Sequence, residues 1–491
     1  MSNQYRSILK ATSIFGGTQL IQILITFVRS KFVALFIGAE GMGLSAMYNS
    51  TITLFVTICG LGIGTSVVRD LAKAKEQGDE VAVAQITKIF TRLLWILAIT
   101  GSIIIVIMSK YLSVWTFDSI DYQKEFIALS LMLMFTLLQN GNISLLVGMR
   151  RVKDTAMCSL LGSIVMLVTS VPFFYFFGTS GIVPGLVLSS FANYIISLIY
   201  FSKINFQEVN IDRLQAKKYI KSIITLGVAM VASLLLGNLT RYLTNIAITR
   251  LGNIADIGYY NAAISITFQS ISLVFAAMAS DYLPRLSSSI NNNDLMNSTV
   301  KQQTEIILYM VIPILLFMMV ASPLIVKILL TDDFLVINQF IRIITLGMFL
   351  KAASYPIGYI AFAKGDKKVY FWLEGVYANF SSLLFSIGFY YFWGLQGMAW
   401  AMVVSYVLYY FIVNLIAAKR YELIVNYDTI KVILVVAFTL FGVYLLSNIL
   451  EELYYLLISI VIFLVFSYFS LKKLNDRTQF VSVFKEKIKR R

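Results

Sequence analysis

Apolar runs of about twenty residues recur from one end of this chain to the other, each long enough to cross the hydrocarbon core of a bilayer. In lipid the backbone must satisfy its own hydrogen bonds, so only helices or a closed barrel can span. Barrel strands alternate apolar and polar residues over about ten positions, and these runs do not alternate. Composition agrees: 13% of the residues are charged, against about 25% in soluble domains. The chain is therefore read as an all-α polytopic membrane protein. Fourteen helices are expected, at 12–37, 42–68, 88–109, 125–147, 155–177, 182–202, 219–250, 255–283, 305–330, 336–362, 369–392, 396–418, 430–448 and 452–471. The longest connectors, 70–87, 203–218, 284–304 and the tail 472–491, are far shorter than the roughly 40 residues a self-sufficient core needs. A soluble catalytic domain is excluded.

The chain has no His, which removes the commonest general base and metal ligand. Cys59 and Cys158 lie inside apolar runs and read as buried thiols, with no metal-ligand spacing. The first apolar run is too long for a cleavable signal and is followed by Arg29-Ser30-Lys31, so it is expected to stay in the mature protein.

Orientation follows from Lys and Arg, which are retained on the cytoplasmic side. With the N-terminus inside, 31 of the 40 cations fall in inner segments and only Lys110, Lys124, Arg250 and Lys327 lie in or beside outer ones. The topology signal and attraction to anionic lipid account for the net charge of +15, with no need for nucleic acid. Five cations remain inside spans: Arg29, Lys31, Arg241, Arg342 and Lys351.

The chain resembles itself at an offset of about 212–215 residues. Gly38-Ala39-Glu40-Gly41-Met42-Gly43 follows span one, and Gly252 to Gly258 follows span seven. Gly181 to Gly185 opens span six, and Gly394-Leu395-Gln396-Gly397 opens span twelve. Spans one to six and seven to twelve are thus expected to be two copies of one unit. Six is even, so the copies share an orientation and relate by an axis along the membrane normal, an arrangement transporters use to hold substrate between halves. The expected division is an N-terminal lobe at 1–202, a linker at 203–218, a C-terminal lobe at 219–418, an appended hairpin at 430–471 and a basic cytoplasmic tail at 472–491.

Polar stripes repeat as well. Span one carries Gln19, Gln22, Thr26 and Arg29, and span seven carries Asn238, Arg241, Asn245 and Thr249, each at helical spacing. The second helix of each copy opens with Asn49 or Asn261 on a similar stripe. Lys351 lies mid-span beside Ser354, and Glu374 lies one turn into the next span. A charge at the bilayer centre costs about 2.5–3.5 kcal/mol, so each must face water or a partner. Arg342 is expected to snorkel outward, Asp281 to pair with Arg285, and Lys31 either to snorkel or to turn inward. Lys351 either pairs with Glu374 or meets an anionic cargo. The excess of cations favours an anion in the cavity they line.

Several stretches resemble the Wzx-type flippases, the O-antigen and lipid III translocases of the MATE-like (MOP) superfamily. They are Lys31 to Gly43, Leu283-Pro284-Arg285-Leu286-Ser287, and Phe349 to Tyr359 followed by Ala363-Lys364 and Leu373-Glu374. The resemblance covers residues 5–420. It implies a MATE-like fold of two six-helix lobes and a central cationic cavity. It also implies alternating access that moves an undecaprenyl-diphosphate-linked oligosaccharide outward across a bacterial inner membrane. Lys31, Lys351 and Glu374 carry over as family-type positions; Arg29 and Arg241 are added as cargo-binding candidates from the stripes, with Gln22, Asn49, Asn245, Asn261 and Ser354 as supporting residues. Polysaccharide polymerase and chain-length machinery are further candidate partners. No cofactor or enzymatic activity is expected, and coupling to a proton, sodium or chloride gradient stays open. The alternatives are a cation-coupled drug exporter of the same fold, which would need a membrane acid in the first lobe, or a membrane polymerase or ligase, which would need a large outer loop. The hairpin departs from shorter relatives, and its role is open.

Both termini are expected on the cytoplasmic side. A C-terminal alkaline phosphatase fusion should be inactive and a GFP fusion fluorescent; the opposite pair of results contradicts the fourteen-span count.

Overall fold

The computed structural model describes residues 3–424 and 427–478, and every regular element among them is helical. The end of the basic tail, 479–491, lies outside the described residues. The first unit contains α1 (Asn3–Gly60), α2 (Ile63–Glu76), α3 (Glu80–Phe117), α4 (Gln123–Gly148), α5 (Val152–Phe177), α6 (Ile182–Ser202) and α7 (Arg213–Leu251). There follow α8 (Ile254–Ser289), α9 (Asn293–Leu329), α10 (Asn338–Ala363), the single turn α11 (Lys367–Tyr370), α12 (Ala378–Tyr421), α13 (Tyr427–Ile449) and α14 (Glu452–Thr478). A π-helical segment, Phe371–Tyr377, joins α11 to α12.

Among the described residues, nine helical stretches are long and apolar enough to cross a membrane, or eleven with two sharply bent pairs included. Three are too long for one crossing: Gly16–Gly60, Val152–Ser202 and Lys367–Tyr421 run 45, 51 and 55 residues, where about 20 suffice. Each breaks near its middle, at Gly38, at the turn Gly178–Gly181 and at Gly394. Read as pairs, they return the fourteen spans expected. Three spans differ from their expected form. Spans seven and eight, expected unbroken at 219–250 and 255–283, bend by 50° and 49°. Span two, expected unbroken at 42–68, breaks at Leu61 and Gly62, both with positive φ, and continues as α2.

Side chains cap several helices in each unit: Asp79 accepts from the Ala82 N–H, Asp212 from Gln215, Asn292 from Asp294 and Leu295, and Asp366 from Val369. Glycine makes a tight turn between paired spans in each unit. Gly178 (φ 56, ψ −133) and Gly394 (φ 57, ψ −142) adopt the same conformation, one that only glycine takes without strain. Each is followed by a second close approach: a Cβ at Gly181 would meet the Phe173 carbonyl at 2.2 Å, and one at Gly397 the Phe389 carbonyl at 2.0 Å. Phe173 and Phe389 thus hold equivalent places in the two copies. The other repeated glycines are reciprocal. A Cβ at Gly43 would lie 2.0 Å from the Ile254 carbonyl, and one at Gly258 would lie 1.9 Å from that of Ala39.

By packing, the chain divides into Met1–Gly258 and Tyr259–Arg491. The repeat boundary expected in the 203–218 linker and this packing boundary are different properties, because α7 joins the first unit. A polar seam holds it there. The Asn238 amide donates to Thr57 Oγ1 at 2.8 Å and the Asn245 amide to Ser50 Oγ at 3.2 Å. Thr57 pairs with the earlier residue of α7 and Ser50 with the later one, so the two helices run antiparallel along this seam. Nearer the N-terminal side, Ser66 Oγ donates to the Ile223 carbonyl at 3.0 Å.

In the second unit, α9 and α10 form the buried centre. Tyr282, Leu286, Met296, Val300, Ile357, Ile360, Leu373 and Val413 pack in one apolar cluster, and the Tyr282 hydroxyl donates to the Pro356 carbonyl at 2.8 Å. The appended hairpin, α13 and α14, packs on α9. Arg477 near the end of α14 pairs at 2.5 Å with Glu305, whose side chain is only 4% exposed. That acid needs its counter-ion, because a stranded buried carboxylate is expensive.

Replacing Gly394 by alanine should destabilise the protein by about 1–3 kcal/mol, the usual strain of such a backbone conformation. Gly388→Ala, in a helical and open position, should not. Thermal unfolding of the two detergent-purified variants checks this; equal midpoints contradict it.

Candidate functional site

Four residues on one face of α10, Lys351, Ser354, Tyr355 and Gly358, recur at helical spacing and point into a cavity of about 440 Å³ in the second unit. Opposite them, α12 presents Tyr406 and Tyr409 one turn apart. The Lys351 ammonium donates to the Tyr406 hydroxyl at 3.3 Å and stands 4.7 Å from the centre of the Phe268 ring and 5.2 Å from that of Tyr406. Glu374 comes from the π-helical segment and accepts a hydrogen bond from the Tyr409 hydroxyl. Single π-turns are rare and concentrate at functional sites because they re-aim a side chain. Gly358 leaves the space Glu374 occupies: a Cβ there would sit 3.0 Å from both Glu374 Oε1 and the Tyr409 oxygen.

Of the two sequence alternatives for Lys351, direct pairing with Glu374 is absent. None of the ion pairs among the described residues joins them. Each charge has its own tyrosine, and both tyrosines stand on one helix face. The ammonium is held by an aromatic cage and a neutral hydroxyl, so its positive charge stays available to the cavity. The remaining wall is rich in hydroxyls and amide: Ser354, Ser381, Ser382, Ser405, Tyr355, Tyr359, Tyr370 and Asn379. Such a wall offers donors, acceptors and ring faces, and suits a polar, hydroxylated ligand carrying negative charge.

The other candidates lie elsewhere. In the first unit the Arg29 Nε donates to Ser170 Oγ on α5 at 3.1 Å. Lys31 and Gln22 are half-buried, and Arg241 is exposed. Asn49 turns its amide onto the Ser45 carbonyl of its own helix at 2.7 Å. Asn245 departs from the cavity face expected of it. It is fully buried in the seam with Ser50, and its Oδ1 has no hydrogen-bond partner. The polar stripe of span seven is therefore partly a packing seam, an outcome that helical spacing alone does not distinguish from a wet face. Asn261 is half-buried on α8 in the second unit. Arg342 also differs from expectation. It does not snorkel; it is 8% exposed and stacks on Tyr455. The expected Asp281–Arg285 pair forms at 3.1 Å.

Sequence reasoning passed over Phe268, Tyr406 and Tyr409. The signal for the tyrosines was their three-residue spacing in span twelve, hidden among 28 tyrosines.

A family model described as polysaccharide biosynthesis protein matches residues 32–339. No curated protein matches the chain. Among solved structures, the lipid II flippase MurJ in an inward closed conformation aligns with a TM-score of 0.70 and 16% identity, over 94% of this chain and 99% of that one. An inward-facing multidrug resistance MATE family transporter of the MOP superfamily aligns at 0.67 and 16%, over 81% and 94%. A MOP superfamily transporter from Pyrococcus furiosus, described as having a binding pocket of reverse polarity, aligns at 0.58 and 14%, over 83% and 96%. At these identities the likeness establishes the fold, which is MATE-like.

Because the two charges are tethered separately, Tyr406→Phe and Tyr409→Phe should each destabilise the protein, by about 1.5–3 kcal/mol for a hydrogen bond to a charged group. The two effects should add only if the sites are independent; contacting sites couple by about 0.5–3 kcal/mol. Unfolding of the single and double variants in detergent measures the coupling, and wild-type stability in both singles contradicts the assigned contacts.

Proposed function

The chain belongs to the polysaccharide biosynthesis protein family, and from that premise we propose that it is a flippase for an undecaprenyl-diphosphate-linked oligosaccharide. It carries the lipid-linked glycan from the inner to the outer leaflet of the bacterial cytoplasmic membrane, with both termini cytoplasmic. The family supports a role in polysaccharide assembly, and the MATE-like fold supports transport. The observation that carries the cargo assignment is Lys351. It is a cation within a span, held over aromatic rings without a carboxylate on it, beside a wall of hydroxyls. A diphosphate supplies the anion that such an ammonium lacks, and the hydroxyl wall suits the first sugars.

In this reading Glu374 keeps the cavity from holding its anion too tightly. A carboxylate facing the same space as the lysine opposes phosphate binding, and a transporter must release what it binds. Translocation makes and breaks no covalent bond, so the protein acts as a carrier and not an enzyme. The polymerase and chain-length machinery that consume the flipped glycan are candidate partners at the outer face. Arg29, Lys31 and Arg241 are proposed as further cationic contacts for the cargo within the first unit.

A second reading, a cation-coupled exporter of the same fold, draws on Glu374 itself, a carboxylate that could hold a proton or sodium. The lysine in the same cavity disfavours it, because a fixed cation repels a mobile one.

Lys351→Met with Glu374→Gln should fold, reach the membrane at normal levels and fail to export lipid-linked glycan. Lys351→Arg should retain partial export, because charge survives while its geometry changes. Export by each variant at matched protein level is the measurement. Full recovery in the double variant contradicts the cargo role and makes the lysine one half of a structural balance with Glu374.

A further inference from the structure

A larger cavity, about 810 Å³, opens between the last turns of α9, the start of α10 and the appended hairpin. Its volume falls in the range of about 300–1,000 Å³ typical of ligand sites. Most of its wall is apolar, and that wall continues onto lipid-facing side chains: Phe317 is 49% exposed, and Leu324 and Leu464 are each 59% exposed.

Its polar end is built from a proline. Pro323 lacks an N–H, so the carbonyl of Met319, four residues earlier in α9, loses its helical partner. Three side chains take that carbonyl, the first being Ser322 of α9 itself, whose hydroxyl donates to it at 3.3 Å. The Tyr455 hydroxyl of α14 donates to it at 3.0 Å, and the Arg342 Nε of α10 donates at 3.4 Å. Arg342 then lies 4.6 Å from the centre of the Tyr455 ring. The arrangement fixes the guanidinium at the cavity wall while neutralising none of its charge, and no ion pair among the described residues includes Arg342. A guanidinium so placed needs an anion, and phosphate matches its fork. Asn338, one turn before Arg342, lines the same cavity, and its buried Oδ1 has no hydrogen-bond partner. It can accept from a hydroxyl or ammonium next to that phosphate. Two other charged groups reach the cavity: Glu452, and Lys327, which lies 3.8 Å from Asp332.

We propose that this groove is a binding site for a bilayer phospholipid, with the phosphate on Arg342, the head-group donor on Asn338 and an acyl chain along Leu324, Ile460 and Leu464. The Lys and Arg distribution assigns this end of the unit to the outer side, so the lipid comes from the outer leaflet. The site gives the appended hairpin a role. Residues of α14 complete a groove that α9 and α10 alone leave open, and the bound lipid fastens the hairpin to the unit. It does not depend on what the protein transports.

The test is retention of lipid by the full chain purified in mild detergent, read by native mass spectrometry and by analysis of extracted lipid. Wild-type protein should carry one diacyl phospholipid per chain. Leu464→Trp fills the groove and leaves Arg342 in place. Arg342→Gln removes the charge. Each should retain about tenfold less phospholipid, the factor that about 1.4 kcal/mol of lost binding produces. Phe438→Trp, at an exposed position on α13 outside the groove, should retain the wild-type amount. Should Arg342→Gln fail to purify as a folded monodisperse protein, Leu464→Trp decides alone. Equal retention in all variants, or wild-type protein without phospholipid, overturns the proposal. Retention of a polyprenyl phosphate in place of a diacyl lipid also overturns it and makes the groove a station for the cargo.

Discussion

A bilayer solvates neither charge nor backbone, and most of this structure follows from how the chain meets that condition. The spans are helical because only helices satisfy their own backbone in hydrocarbon. Where the helix must end inside or beside the membrane, the chain uses what the local solvent allows. Side-chain caps at Asp79, Asp212, Asn292 and Asp366 serve some helix ends, and glycine turns at Gly38, Gly178 and Gly394 serve others. The charges inside obey the same condition. Arg29 goes to a serine, Lys351 to two rings and a hydroxyl, and Arg342 to a ring and a carbonyl released by proline. Glu305 instead takes a full counter-ion, from the end of α14.

These solutions differ in what they leave over. A carboxylate–guanidinium pair closes both charges. A ring or a neutral hydroxyl orients a cation and leaves its field in place, and Lys351 and Arg342 each stand at the wall of a cavity in the second unit. The two sites call for different ligands. The cavity of Lys351 is lined with hydroxyls and suits a sugar-bearing phosphate. The groove of Arg342 is lined with Leu, Ile and Phe and suits an acyl chain.

Much of the fold was legible in the sequence because the period and length of apolar runs are fixed by the bilayer. The fourteen spans rest on that pattern, the glycine turns on their repeat, and the MATE-like class on the family resemblance of a few short stretches. Partners across helices were not legible. Asn245 reads as one member of a polar stripe, and nothing in its spacing says that Ser50 fills the opposite position. Arg342 lies close enough to a helix end to snorkel, and the reason it turns inward is Pro323 on a different helix. The break at Leu61 and Gly62 escaped because the run 42–68 stays apolar through it. At the candidate site, Lys351, Ser354 and Glu374 stood out as polar groups in apolar spans. Their tyrosine partners did not, since an aromatic in a span is ordinary. The packing boundary at residue 258 was hidden for the same reason, because it is set by the seam between α1 and α7.

The central claim is that the cavity around Lys351 serves an anionic lipid-linked glycan. The most direct measurement is translocation of a fluorescent polyprenyl-diphosphate oligosaccharide by the purified protein in sealed proteoliposomes, followed by access of an external quencher. The account predicts translocation faster than in protein-free vesicles, loss of that excess when Lys351 is replaced by methionine, and no competition from lipophilic cationic drugs. Drug-sensitive transport of an organic cation, with the glycan left in its original leaflet, would contradict it.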